Sequence, residues 1–141
     1  MKETKQLDNT ELNDLMFEAL DHGFYSVEDG GPIIPFVMTK NINNEKGLQR
    51  FVAERIEDGV EKAKEYIEKN RNTIKIYALV FDGYITLEDK KADAILVEAG
   101  GIEGEAIVLA QRYELKGFLK KKNYRVGNPA LIDKPKSRLV K

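Results

Sequence analysis

The chain has 141 residues, the length of about one domain, and can bury a core without cross-links. It contains no cysteine, which excludes disulfides and thiolate metal sites. No apolar run reaches the roughly 20 residues that a membrane span needs, and we expect a cytoplasmic protein without a membrane partner.

The net charge of −1 conceals a basic C-terminal end. Residues 114–141 contain nine lysines and arginines against two acidic residues, whereas residues 1–113 are acidic overall. A basic end can contact an anionic partner or the acidic body of another copy, but a solvated tail is the simpler interpretation. We therefore predict one α+β domain over residues 1–133 and a basic flexible tail over residues 134–141.

The first predicted element is an amphipathic helix. Asp8 and Glu11 have the spacing of a capping box, and apolar residues then recur at helical intervals until Gly23, where we expect the helix to end. A short strand over residues 24–27 would follow. The only histidine, His22, would lie in the last helical turn, where a surface position explains it better than catalysis or metal binding, since a histidine metal site usually needs a second histidine or cysteine.

A strand and a long helix follow in the prediction. Residues 33–39 are typical of a strand, and Pro35 places this strand at a sheet edge or marks its start, because proline cannot donate to a ladder. Residues 45–70 carry apolar side chains on one face at helical spacing and predict the longest helix of the chain. Gly59 interrupts this helix and indicates either a bend or a close approach of the sheet.

The middle of the chain predicts three antiparallel strands. β-branched and aromatic residues dominate the first strand, residues 73–87, in which Gly83 indicates a bulge. The charged residues 88–91 and the glycine-rich residues 100–104 predict the two turns. These turns lead into strands at residues 92–99 and 105–115.

Consecutive antiparallel strands after a helix favour an α+β fold over a parallel sheet. We expect an antiparallel meander of four to six strands packed against the one long helix, with an additional N-terminal helix; residues 124–126 and 130–132 supply the last strand pieces. From the first strand onward, this order of elements resembles the cystatin-like fold, one long helix wrapped by an antiparallel meander. The resemblance concerns layout alone, because no inhibitory loop motif accompanies it.

Both faces of the predicted sheet carry apolar side chains. With each turn centred in its loop, Ile95 lies opposite Leu109, and Asp93 lies opposite both Thr86 and Gln111. A sheet with one solvated face would alternate more cleanly, so the second face is covered either by the chain or by another subunit. We therefore predict a homodimer that acts by protein association without catalysis. The second face is predicted to carry Ala94, Leu96, Ala106, Val108 and Ala110.

The chemistry available to the chain rests on carboxylates. No phosphate-binding loop, dinucleotide fingerprint, nucleophile elbow or zinc-protease motif is present, and we expect no metal and no cofactor. Asp82, Asp93 and Glu98 lie in or beside apolar strands, where burial would raise their pKa values and suit acid–base catalysis. A structural polar row is the simpler interpretation. The alternative to pure association is a small-molecule binder or enzyme with a pocket between the long helix and the sheet, lined by Asp82, Tyr84, Asp93, Glu98 and Arg112.

A basic stretch with aromatic neighbours lies between Phe118 and Arg125. Base stacking combined with phosphate neutralisation is how single-stranded nucleic acid is held. A lysine-rich loop is nevertheless an ordinary surface feature, so nucleic acid is not our expected partner. The anion-binding candidates are Lys120, Lys121, Lys122 and Arg125.

Overall fold

One antiparallel sheet separates two helices that lie on its opposite faces. The computed structural model describes residues 2–27, 33–116 and 122–141, and within residues 2–9 it describes the backbone alone. In chain order the elements are α1 (Lys2–Val27), β1 (Phe36–Asn41), β2 (Lys46–Arg50), α2 (Ile56–Lys69), β3 (Ile74–Leu87), β4 (Lys90–Gly101), β5 (Ile107–Lys116) and β6 (Lys122–Asp133).

The strands are neighbours in the order β2, β1, β3, β4, β5, β6, and every pairing is antiparallel. The predicted α+β class and the meander after the second helix are therefore confirmed. Among the described residues, no helix combines the length and the apolar character that crossing a bilayer requires.

Each helix covers its own face of the sheet. Adjacent residues of a strand point to opposite faces, and this alternation divides the apolar side chains of β3 into two sets. Ala78 and Val80 belong to the core under α1, and Tyr77 and Leu79 to the core under α2. We call these two sides the α1 face and the α2 face. The sequence correctly predicted that both faces are apolar, but the chain itself covers much of each.

The prediction of one long helix over residues 45–70 is wrong in its first part. Helix α2 begins only at Ile56, and Lys46–Arg50 forms the edge strand β2, whose five residues are all exposed. A tight turn produces this strand, because the Asn41 side chain accepts hydrogen bonds from the backbone N–H groups of Asn43 and Glu45. A Cβ at Gly59 would lie 2.7 Å from the carbonyl oxygen of Phe51, so glycine lets the β2–α2 connection pass close to the helix.

The N-terminal helix is longer than predicted, and it is the longest helix of the structure. Helix α1 continues through Gly23 to Val27, so residues 24–27 are helical and do not form the predicted strand. Val27 is only 1% exposed, and Phe24 packs against the same core. Packing on the sheet therefore outweighs the helix-ending tendency of glycine.

The three central strands are confirmed, but their register differs from the prediction by two residues. Ile95 lies opposite Gln111, and Asp93 lies opposite Tyr84. Each turn is centred one residue away from the predicted position, and an even shift leaves every side chain on its predicted face. The β3–β4 turn contains only Glu88 and Asp89, both with positive φ, at 50° and 67°.

The bulge predicted at Gly83 is absent, because the β3–β4 register runs without a shift through the Gly83–Ala94 pair. A Cβ at this position would lie 2.8 Å from Cδ1 of Leu96. A larger residue at this position would therefore require the Leu96 side chain to shift.

Candidate functional site

The C-terminal residues 134–141, which we predicted to form a flexible tail, pack back against the sheet. Ser137 and Leu139 are only 1% and 7% exposed, and Leu139 belongs to the core under α2. The backbone carbonyl of Pro135 accepts a hydrogen bond of 2.6 Å from the N–H of Ala106, and the Ser137 hydroxyl donates to the carbonyl of Gly101. The charges of this segment predict a solvated tail, whereas Ser137 and Leu139 alternate with more exposed residues and are buried. We call residues 134–141 the C-terminal strap.

Arg138 connects the strap to the centre of the sheet. Its Nε donates to Oε2 of Glu98 at 2.7 Å, and its Nη2 donates to Oε1 of the same carboxylate at 3.1 Å. Glu98 is only 6% exposed, and it also accepts a 2.6 Å hydrogen bond from the Tyr77 hydroxyl. From α2, Glu68 accepts a further bond from Arg138 at 3.2 Å. Strand β3, strand β4, helix α2 and the strap therefore meet at one buried ion pair.

The electrostatics of this cluster favour its charged form. Burial lowers the pKa of Arg138, but the hydrogen bond and the negative charge of Glu98 outweigh burial and leave this pKa raised. Burial first, and then the charge of Glu98, raise the pKa of Tyr77, so the phenol stays protonated and donates at neutral pH. Two donors on one carboxylate form a strong, directional pair. This arrangement holds the strap in place.

The five residues predicted to line one pocket lie on opposite faces of the sheet. Asp82, Tyr84 and Asp93 belong to the α1 face, whereas Glu98 and Arg112 belong to the α2 face. Glu98 is engaged by Arg138. The structure therefore does not bring the five together between a helix and the sheet.

A smaller polar group forms at the end of the α1 face. The Tyr113 hydroxyl donates to Oδ1 of Asp82 at 2.7 Å. Burial first, and then the charge of Asp93, raise the pKa of Asp82, although the bond from Tyr113 opposes this shift. Tyr84 is 53% exposed and carries the ammonium group of Lys91 at 4.3 Å above its ring. Among the described residues no group of three or more histidine, cysteine, aspartate or glutamate side chains could hold a metal ion.

A cleft of about 760 Å³ opens where β4 and β5 part. Asp93, Arg112 and Tyr113 line it, so two of the predicted site residues reach the same space although they start from opposite faces. A second cavity of about 400 Å³ lies beside Leu12 and Ile107, near the β4–β5 loop. No residue pattern predicts either space, because both depend on where the strands separate.

The predicted anion-binding residues are only partly described. Lys120 and Lys121 lie outside the described residues, and Lys122 is half-buried. Nη2 of Arg125 lies 2.6 Å from Oδ1 of Asp21, and its guanidinium lies 4.6 Å from the centre of the Phe24 ring. Arg125 is therefore engaged by α1.

No family model, no curated protein and no solved structure matches this chain.

The raised pKa of Asp82 predicts a dependence of stability on pH. Because the folded chain holds this proton more tightly than the unfolded chain, the contribution of Asp82 to stability is greatest below its ordinary pKa of 3.8 and is lost as the pH rises through the raised pKa. The substitution Asp82→Asn removes the charge and keeps an oxygen that can accept from Tyr113. Chemical denaturation between about pH 3 and pH 7 should show the stability of this variant, relative to the parent, increasing with pH. The exposed Asp14→Asn is the matched control, and a relative stability of Asp82→Asn that is flat or declining with pH would contradict the prediction.

The buried ion pair predicts a non-additive double mutant. Arg138→Met leaves the Glu98 carboxylate buried without its cation and should lower the free energy of unfolding by about 3–5 kcal/mol. The double variant Glu98→Leu/Arg138→Met should lose less, because no uncompensated buried charge remains; the Tyr77 hydroxyl loses Glu98 as its acceptor but still accepts from the backbone N–H of residue 138. Urea denaturation measures both values. Arg55→Met, which removes an exposed ion pair, serves as control and should cost under about 1 kcal/mol; a similarly small loss in Arg138→Met would refute the role of the pair.

Proposed function

We propose that the protein acts by association of two copies, without catalysis, through the part of the α2 face that the described residues leave uncovered. Helix α2 and the C-terminal strap cover this face around Tyr77 and Leu79. Further along β3, β4 and β5 the face carries apolar side chains that are only partly buried. We call this region the open patch: Phe81, Ile85, Leu87, Leu96 and Val108.

The open patch is suited to a flat, close contact. Ala94 and Ala110 form its floor and are almost fully buried beside the larger side chains. Leu87 is 43% exposed at one end of the patch. Contiguous apolar surface of this kind on a sheet is a common feature of protein interfaces.

A second copy is the partner that we favour. A two-fold axis brings the same patch of each copy together, and an apolar patch is complementary to itself. Arg112, which pairs with Ala94 on the same face, borders the patch. The chain has a net charge of only −1, so two copies repel each other weakly.

Association through strand edges is less favourable. Antiparallel pairing of β2 with another β2 would place Lys46 opposite Arg50 of the other copy, and like charges directly opposite destabilise a sheet. The other edge strand, β6, contains Pro129, which cannot donate to an added strand. The face is therefore a better site than either edge. The cytoplasmic location expected from the sequence is part of this proposal.

Sedimentation velocity of the full chain tests this function. The parent should sediment as a species of twice the 16.0 kDa chain mass, whereas Ile85→Lys and Leu96→Lys should sediment as single chains, because a buried charge destabilises the interface. Thermal unfolding followed by circular dichroism shows whether each variant is folded. Val52→Lys is the matched control, since Val52 is 70% exposed and lies outside the patch. A parent that stays monomeric at all concentrations, or folded patch variants that remain dimeric, would contradict the proposal.

A further inference from the structure

The sheet is split at one end between β4 and β5. The two strands pair only from Ala94–Arg112 to Ala99–Ile107. Beyond this point, β4 continues to Lys90 paired with β3, and β5 continues to Lys116 paired with β6. The inner edges of these two strand segments therefore face the cleft described above. Their backbone N–H and C=O groups on this side do not hydrogen-bond to each other. We call this space the fork.

The sequence does not favour closing the fork. If the register that pairs Ala94 with Arg112 continued, Lys90 would lie opposite Lys116 on the same face. Like charges at directly opposed positions destabilise a strand pair. The fork is thus a feature that the side chains maintain.

Arg112 lies at the closed end of the fork and is incompletely paired. Its side chain is 35% exposed, and its Nε is buried without an acceptor among the described residues. The nearest carboxylate oxygen, Oε1 of Glu114, lies 3.9 Å from Nη2, which is beyond hydrogen-bond distance. A buried donor without an acceptor is costly, and a guanidinium offers Nε and Nη2 together as a planar pair that fits a carboxylate. The geometry of Arg112 therefore suits a carboxylate ligand.

The charges of the lining limit the kind of anion. Three cationic and three anionic side chains surround the fork, so it carries no excess positive charge. A doubly charged phosphate would meet repulsion from the acidic side chains, whereas a singly charged carboxylate needs only Arg112. The lining charges are Lys90, Lys91, Arg112, Glu88, Asp93 and Glu114.

We propose that the fork binds a carboxylate through Arg112, and that the ligand is the C-terminal end of an extended peptide. Among the described residues, no strand pairs with the inner edges of β4 and β5 in the fork, and a peptide main chain can hydrogen-bond to them, as in the addition of a strand to a sheet edge. A small free acid supplies the carboxylate alone. The fork is built by a single chain, although Leu87 lines both the fork and the open patch.

NMR titration of the full, ¹⁵N-labelled chain tests the proposal. The probes are N-acetyl-trialanine with a free carboxylate, the same peptide as its C-terminal amide, and propionate. The acid should shift the backbone amide signals of residues 91–93 and 113–115, and the amide should not. Arg112→Gln should raise the dissociation constant of the acid at least about tenfold, and Arg112→Lys, which keeps the charge without the planar donor pair, should also raise it.

Arg50→Gln is the matched control, because Arg50 is an exposed strand arginine at the far edge of the sheet; its binding should equal that of the parent. The stability of Arg112→Gln should not fall, since Nε has no acceptor to lose. Propionate that binds as tightly as the acid peptide would support the carboxylate site and overturn the peptide assignment. Equal binding of acid and amide, no signal shifts at the fork, or unchanged binding in Arg112→Gln would overturn the site.

Discussion

The buried pair of Arg138 and Glu98 is the interaction on which the arrangement of the α2 face depends. A carboxylate in the middle of an apolar strand is costly unless a cation and hydrogen-bond donors reach it. The chain supplies the cation from a residue 40 positions later, and the Tyr77 hydroxyl supplies a further donor. Because Arg138 must reach Glu98, the C-terminal strap lies on the sheet beside α2. The strap and α2 then cover the part of the face around Tyr77 and Leu79, and the open patch lies beyond this part.

The division of the α2 face also reduces the surface that the predicted dimer could use. Apolar side chains on both sides of the sheet implied either a cover from the chain or another subunit, and these were treated as alternatives. In the structure, α2 and Leu139 cover the part around Leu79, whereas Leu96 and Val108 are only partly buried. The dimer proposal therefore concerns a smaller surface than the sequence suggested.

Features with a local cause could be predicted from the sequence. The alternation of side chains assigned Ile95 and Leu109 to one face and Leu96 to the other, and this assignment survived a register error because the error was an even number of residues. Element boundaries were less accessible. The turn at Asn41 leads into strand β2, where a helical pattern predicted a helix. Packing of Val27 keeps α1 helical beyond Gly23, although glycine usually ends helices.

The candidate sites depended on long-range pairing, which the sequence could not supply. The sequence places Glu98 in an apolar strand, but its partner Arg138 belongs to a segment whose charges predict a flexible tail. Asp93 and Arg112 were both predicted to be site residues. The cleft that they share exists because β4 and β5 separate, and no residue pattern predicts this separation. The lysines opposed at the end of that cleft could have been noticed only after the register was known.

The seating of the C-terminal strap can be measured most directly by native-state hydrogen exchange of the backbone amides of Arg138 and Leu139, followed by NMR. Their N–H groups donate to the Tyr77 hydroxyl and to the Ser137 hydroxyl oxygen, within a buried segment. Opening of the strap requires the ion pair to break, so these amides should exchange at least about 10³-fold more slowly than in an unfolded chain. Exchange at the rate of an unfolded chain would mean that the strap is not seated on the sheet, and the account of the α2 face would then be wrong.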